Sequence, residues 1–224
     1  MNYKGYKYNG AIDHVRVDDK SIIKVDNGLG TMFLHDMFEQ IPQEFYDADY
    51  IFIDPPWNLI NVKTFYTKAE IQYDRGNFND FAGRIFDIIK ELHDHGKVKN
   101  CFIEIGAQNV KMFEAALGSI FDEVVCYESK YYNKNICYIL QGYDNGCFVD
   151  IPSEVKDELK VIDDIVRCNP GKCILDFCCG RGAVSRTAYK YKQKFVVSEL
   201  NKNRLAVAVQ DVQNMGGKLD YIEV

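Results

Sequence analysis

The chain has 224 residues, enough for one large domain with a sizeable core and short for two. Its 47% hydrophobic and 27% charged residues suit an ordinary globular protein. No apolar run reaches the roughly 20 residues of a membrane span, residues 1–10 are Tyr- and Lys-rich with no signal-peptide core, and the net charge of −6 excludes holding nucleic acid by bulk charge alone while leaving room for a local basic face.

The expected compartment is therefore the cytoplasm, with no membrane partner. Residues 1–20 read as an N-terminal arm. Its Tyr3, Lys4, Tyr6, Lys7 and Tyr8 suggest a disordered terminus, with a basic aromatic arm for nucleic acid as the alternative. Residues 21–25 form a short strand, followed by Asp26. Residues 31–41 fit a helix, because Met32, Phe33, Met37 and Ile41 recur at helical spacing. Residues 50–53 form a buried strand stopped by Asp54-Pro55-Pro56. Residues 58–77 show no clear period and read as a long loop, whose Lys63, Lys68 and Arg75 suit phosphate contacts better than mere solvation.

Residues 78–93 form an amphipathic helix. His93 and His95 flank Asp94 at its end, which suits a solvated C-terminal turn better than a metal site. Residues 101–105 are a strand and 110–117 a helix. Residues 123–127 and 135–141 pair around the turn at 131–134 and predict an antiparallel edge. Residues 142–151 are the one soft boundary. Ser153 can N-cap a helix running to about Arg167. A buried strand over 172–178 runs into Cys179-Gly180-Arg181-Gly182. A helix over 183–191, a strand over 195–198 ending at Glu199, and a helix over 203–215 complete the chain. This alternation predicts a parallel α/β sheet.

The eight cysteines show no disulfide pattern and no CxxC pair, so no structural zinc is expected. Several lie inside apolar runs and read as small buried hydrophobes.

Two segments carry chemistry. In Ile51-Phe52-Ile53-Asp54-Pro55-Pro56-Trp57 an apolar strand delivers a carboxylate, two prolines and an aromatic ring to its C-terminal edge, where ligands bind in open α/β sheets. Proline fixes φ and removes an N–H, so the Asp54 carboxylate and the Pro55 carbonyl can be held as a rigid pair of acceptors. Two acceptors suit the two hydrogens of an NH2 group. Trp57 offers a face on which a planar base stacks, worth about 1–3 kcal/mol. The plain alternative is a strand end, a Pro-Pro turn and a core tryptophan. The second segment is Asp176-Phe177-Cys178-Cys179-Gly180-Arg181-Gly182, between a strand and a helix. Its glycines let a ligand approach the backbone. Glu199, 17 residues after Gly182, can accept from both hydroxyls of a ribose. A GxG without a full GxGxxG favours a mononucleoside cofactor over a dinucleotide.

Together the two segments resemble the amino-methyltransferases of bacterial and phage DNA, which carry a D-P-P-[YWF] catalytic motif and an F-x-G-x-G cofactor motif. With the catalytic motif first, the order is similar to that family's permuted beta class. The resemblance covers roughly residues 22–209. It implies a single-domain Rossmann-like S-adenosylmethionine-dependent methyltransferase fold, α/β, with a mostly parallel seven-stranded sheet and an antiparallel edge. The domain would span 21–224, its catalytic half about 21–142 and its cofactor-binding half about 152–224. The implied catalytic residues are Asp54, Pro55, Pro56 and Trp57. The implied cofactor contacts are Asp176, Phe177, Cys178, Cys179, Gly180, Gly182 and Glu199, with Asp26 as the upstream acid that touches the cofactor's adenine; an ordinary Asp-Asn-Gly turn is the equal alternative for Asp26. An Asp at the head of the motif implies N6 of adenine; cytosine-N4 enzymes of this order usually have Ser there. The implied partner is nucleic acid, DNA before RNA, and the implied reaction needs no covalent intermediate on any cysteine.

The chain departs from the family in two places. Cys178 stands where the family has Phe, unless Phe177 takes that role. Only residues 142–151 are available for a target-recognition segment. Recognition would then fall to the loop at 58–77, to the turn at 131–134, or to a homodimer or partner subunit. Low sequence specificity is the other outcome. The alternatives are an RNA adenine-N6 methyltransferase and a non-catalytic methyltransferase-like subunit that binds a partner.

Overall fold

The apolar runs assemble into one mixed sheet in a computed structural model that describes residues 10–131, 135–151 and 158–223. Its strands are β1 (Ser21–Val25), β2 (Gly30–Leu34), β3 (Tyr50–Ile53), β4 (Asn100–Gly106), β5 (Glu123–Tyr131), β6 (Asn135–Tyr143), β7 (Ile174–Asp176), β8 (Phe195–Glu199) and β9 (Leu219–Glu223). They lie in the order β5-β6-β4-β3-β7-β8-β2-β1-β9. The five central strands, β4 to β2, run parallel. Antiparallel pairs extend the sheet on both sides: β6 and β5 beyond β4, β1 and β9 beyond β2. Four of the eight pairings are thus antiparallel, and the sheet has nine strands rather than seven and is mixed rather than mostly parallel.

Helices cover both faces, which is why the central strands are apolar throughout instead of alternating. One face carries α1 (Leu59–Lys68), α2 (Phe78–Asp94), α3 (Val110–Leu117) and a 3-10 turn at Gln43–Asp47. The other carries α4 (Glu158–Cys168), α5 (Ala183–Lys190) and α6 (Lys202–Asn214). Ala11, Val15 and Val17 are buried in that second layer, so packing begins before Ser21.

Residues 31–41 are not a helix. Residues 30–34 are β2, and its apolar run is continuous because both faces are covered. Residues 58–77 are not one long loop, since α1 occupies their first half, capped by Asn58, whose Oδ1 accepts from Asn61 N at 2.9 Å. Amphipathic α2 starts with a reciprocal capping box between Asn77 and Asp80. His93 is not in a solvated turn: its Nε2 lies 2.9 Å from Asp144 Oδ1 and pins the end of α2 to the segment after β6. All eight cysteines are free, and Cys101, Cys137, Cys173 and Cys179 are buried. Ser153, the residues at 132–134 and those at 3–8 lie outside the described residues. No helix among the described residues is long and apolar enough to cross a membrane.

Candidate active site

A cavity of about 860 Å³ opens along the C-terminal edge of the parallel strands. Ligand pockets run about 300–1,000 Å³, so this one lies toward the large end of that range. It is lined at one end by Asp54, Pro55, Pro56 and Trp57, at the end of β3. At the other end it is lined by Asp176, Phe177, Cys178, Cys179 and Gly180, after β7, and by Glu199, at the end of β8. The two motifs are more than a hundred residues apart in sequence. They meet because β3 and β7 are parallel neighbours, with Tyr50 opposite Ile174 and Ile51 opposite Leu175.

At the Asp54 end, the Trp57 indole Nε1 donates to Asp54 Oδ1 at 2.9 Å. Asn109 Nδ2 donates to the Trp57 carbonyl at 2.7 Å. The ring rests over Gly106 of β4, where a Cβ would stand 2.7 Å from Trp57 Cε3. Tyr131, at the end of β5, meets the ring edge-on with centroids 5.0 Å apart. Trp57 is half-buried and not sealed in the interior. The carboxylate and the aromatic plane are therefore held in one fixed relation at the cavity wall.

At the Gly180 end, Glu199 is buried. Its Oε2 accepts from Gly180 N at 2.8 Å and its Oε1 from Asn201 N at 2.9 Å. Burial pushes its carboxyl above the ordinary glutamate range, against the pull of Arg204 and the backbone donors. A carboxylate has about four acceptor sites, so room remains beyond these backbone donors for a ligand's hydroxyl to donate there. Gly180 has φ +54°, a left-handed conformation that bends the chain toward Glu199. Cys178 N donates to Asp176 Oδ1 at 3.0 Å, which fixes the turn. Phe177 packs on Phe45, with centroids 5.9 Å apart, so Phe177 is a core residue while Cys178 is the half-buried neighbour. Burial raises the thiols of Cys178 and Cys179 well above their ordinary value.

Two expected residues do not join the cavity wall. Gly182 is the left-handed N-cap of α5 at φ +77°, and a Cβ there would lie 2.5 Å from Ala208 Cβ. Its smallness serves the packing of α5 on α6. Asp26 sits in the Asp26-Asn27-Gly28 hairpin turn between β1 and β2, at the opposite edge of the sheet. There it accepts from Lys218 N at 2.9 Å and from the Tyr189 hydroxyl at 3.0 Å.

The strand that leads to the cavity from upstream is β2, and the acid at its end is Asp36. Asp36 Oδ1 accepts from the Tyr66 hydroxyl at 2.7 Å and from Phe38 N at 3.0 Å. Placing residues 31–41 in a helix hides this acid from a reading of the sequence.

Next to it, His35 lines the cavity and donates its backbone N–H to the Glu199 carbonyl at 3.1 Å. Its side chain is 7% exposed and Nε2 has no hydrogen-bond partner among the described residues. Burial lowers its pKa from 6.5 to about 4. The sequence reading also missed Asn61, Phe65 and Tyr66 of α1 and Arg204 of α6, all of which line the cavity. The Arg204 guanidinium lies 4.2 Å from the Phe65 ring centroid, so the two halves of the chain touch across the opening.

No family model and no curated protein matches the chain. Solved structures do. The complex of M1.HpyAVI with SAM superposes with a TM-score of 0.55 at 13% identity, covering 81% of this chain and 98% of that one. The Thermus thermophilus protein TTHA0409, a candidate DNA modification methylase solved with S-adenosyl-L-methionine, gives 0.58 at 14% identity, covering 82% and 93%. The cytosine-N4-specific PvuII DNA methyltransferase gives 0.54 at 11% identity, covering 81% and 86%. At these identities the likeness is one of fold. The chain has the α/β fold that these structures share, with its cavity at the carboxyl edge of the parallel strands.

Proposed function

We propose that the chain is an S-adenosylmethionine-dependent methyltransferase that acts on N6 of adenine in DNA. The observation that carries this reading is the continuous cavity that joins the Asp54-Trp57 corner to the Gly180-Glu199 corner. The residues present fit the cofactor. Glu199 is a buried acceptor suited to ribose hydroxyls, Gly180 keeps the backbone approachable, and Asp36 is an acid suited to a purine edge. Two of the solved structures of like fold hold that cofactor, which supports the choice. Bound in this cavity, S-adenosylmethionine supplies an electrophilic sulfonium methyl.

The chain's own residues do the rest. Trp57 stacks the target base, which must leave its helix to reach the cavity. The Asp54 carboxylate and the Pro55 carbonyl accept from the amine, fix its orientation and stabilise the positive charge that develops on nitrogen. The Trp57 indole keeps the carboxylate in place. Cys178 and Cys179, whose thiols are held neutral, play no nucleophilic part.

The choice of adenine rests on Asp54 at the head of the motif. A solved structure of like fold is cytosine-N4-specific, so the test must read both bases. The protein is incubated with methyl-labelled cofactor and duplex DNA, single-stranded DNA or RNA, and the product is digested to nucleosides. Label in N6-methyladenine from DNA is expected. Label in N4-methylcytosine, or in RNA alone, overturns the assignment of base or polymer. Asp54→Asn is expected to lower transfer about 10²–10³-fold while leaving S-adenosylhomocysteine binding intact. Full activity in that variant would remove Asp54 from the reaction.

A further inference from the structure

The fold leaves no room for a recognition module between β6 and α4, where only residues 144–157 connect the two elements. Elements of the sheet domain that border the cavity are then the place to look for contact with a polymer. Helix α1 follows Trp57 directly, and it has two faces. The inner face buries Val62 and Tyr66 and turns Asn61 and Phe65 to the cavity. It is held in three ways: by the Tyr66 hydroxyl on Asp36, by Phe65 under Arg204, and by Asn201 Nδ2 donating to the Lys68 carbonyl at 2.6 Å. The outer face presents Ile60, Lys63, Thr64 and Thr67, at positions i, i+3, i+4 and i+7, all exposed. Ile60 is 77% exposed.

The charge of this segment differs from the rest of the chain. Residues 55–69 contain two lysines and no acid, although 33 of the 224 residues are Asp or Glu. Lys63 has no ion pair among the described residues. Thr64 and Thr67 donate their hydroxyl hydrogens to the helix carbonyls of Ile60 and Lys63, at 2.7 and 2.8 Å. Those oxygens therefore face outward as acceptors only. A surface with a free cation, fixed acceptors and one apolar side chain matches phosphates, exocyclic amines and a thymine methyl.

We propose that the outer face of α1 is the seat of the nucleic-acid strand that carries the target base. The proposal rests on the nucleic-acid reading above. It makes α1 one rigid piece with two jobs, its inner face walling the cavity and its outer face holding the polymer.

The test is fluorescence anisotropy with a fluorescein-labelled, adenine-containing oligonucleotide, duplex and single-stranded, across a salt series. Lys63→Glu is expected to weaken binding about tenfold and to reduce the salt slope by about one, with S-adenosylhomocysteine affinity unchanged. Thr64→Lys adds a cation to the same face and is expected to strengthen binding and steepen the slope. Lys218→Glu, beside Asp26 at the opposite sheet edge, is the control and is expected to bind as wild type. Wild-type binding that Lys63→Glu leaves unchanged, or that Lys218→Glu weakens equally, overturns the α1 seat alone. A wild-type protein that binds cofactor and no oligonucleotide overturns the nucleic-acid reading and the seat with it.

Discussion

At the residue scale the site depends on what is missing from Gly106. A methyl group there would meet Trp57 Cε3 at 2.7 Å and Cδ2 at 3.2 Å. The ring cannot simply recoil, because its N–H is tied to Asp54 and its carbonyl to Asn109. Alanine in a strand interior is otherwise no worse than glycine. Gly106→Ala should therefore force the indole to tilt away from Asp54, breaking its hydrogen bond at a cost of about 1–3 kcal/mol in stability. A displacement of about 1 Å at a reacting centre can cost about 10²-fold in rate, and that loss is expected in single-turnover transfer. Cofactor-analogue calorimetry should be unaffected. Full transfer by this variant would mean that the ring's position is irrelevant to the chemistry.

His35 gives the same scale a pH signature. It is packed edge-on against Phe45 at 5.6 Å and lies 3.8 Å from Glu39. Arg84 opposes its protonation and Asp36 favours it, but burial dominates and holds the folded pKa at about 4 against 6.5. A depressed value means that the fold prefers the neutral ring. The associated stability is complete above 6.5 and is lost as pH falls toward about 4. Over that window the loss is on the order of 3 kcal/mol. Urea denaturation of wild type and His35→Leu across the window should show the wild type losing more stability with acid than the variant. Parallel losses would mean that the ring is hydrated on folding.

At the element scale, what could be read from the sequence depended on how each element is buried. Helix α2 was legible because it covers one face only and shows a clean apolar stripe with Phe81, Ile85, Ile88, Ile89 and Leu92 inside. The antiparallel β5 and β6 were legible from their spacing about a polar turn. Strand β2 was misread because it is covered on both sides, and a continuous apolar run carries no period that separates strand from helix. Its better signal was the Asp26-Asn27-Gly28 turn, where three successive positive φ values fold β1 back on β2. Helix α1 was missed because only Val62 and Tyr66 are fully buried, too few to print a stripe. Strand β9 was missed because it is a half-exposed edge strand. The same two errors hid part of the site. With β2 taken as helix, Asp36 had no strand end to sit on, and Asp26 took its place. With α1 taken as loop, the cavity lost a wall.

At the scale of the whole molecule, chain order and sheet order disagree, and that disagreement predicts how the protein folds. Residues 21–143 supply β1 and β2 to one side of the sheet and β3 to β6 to the other. They do not pair with each other across the middle. Strands β7 and β8 enter between them, with Leu34 opposite Glu199 on one flank and Ile51 opposite Leu175 on the other. The seam is tight. Asp49 Oδ2 accepts from Cys173 N at 2.6 Å, and Asp49 N donates to the Cys173 carbonyl at 2.8 Å. At Gly30 even a methyl group would lie 2.1 Å from the Phe195 ring. Without β7 and β8, β2 and β3 would each expose an apolar edge in the centre of the molecule. Neither half of the chain can then hold a native core alone. A fragment of residues 1–150 should be unfolded or aggregated by circular dichroism, and co-expression with residues 151–224 should restore it. In the intact chain, Trp57 is the only tryptophan, so its fluorescence reports the Asp54-Trp57 corner while far-ultraviolet dichroism reports the whole sheet. The two signals should give one urea midpoint. A separate, earlier transition at Trp57 would mean that this corner opens on its own, and that the inserted strands do not bind the two sides into one cooperative unit.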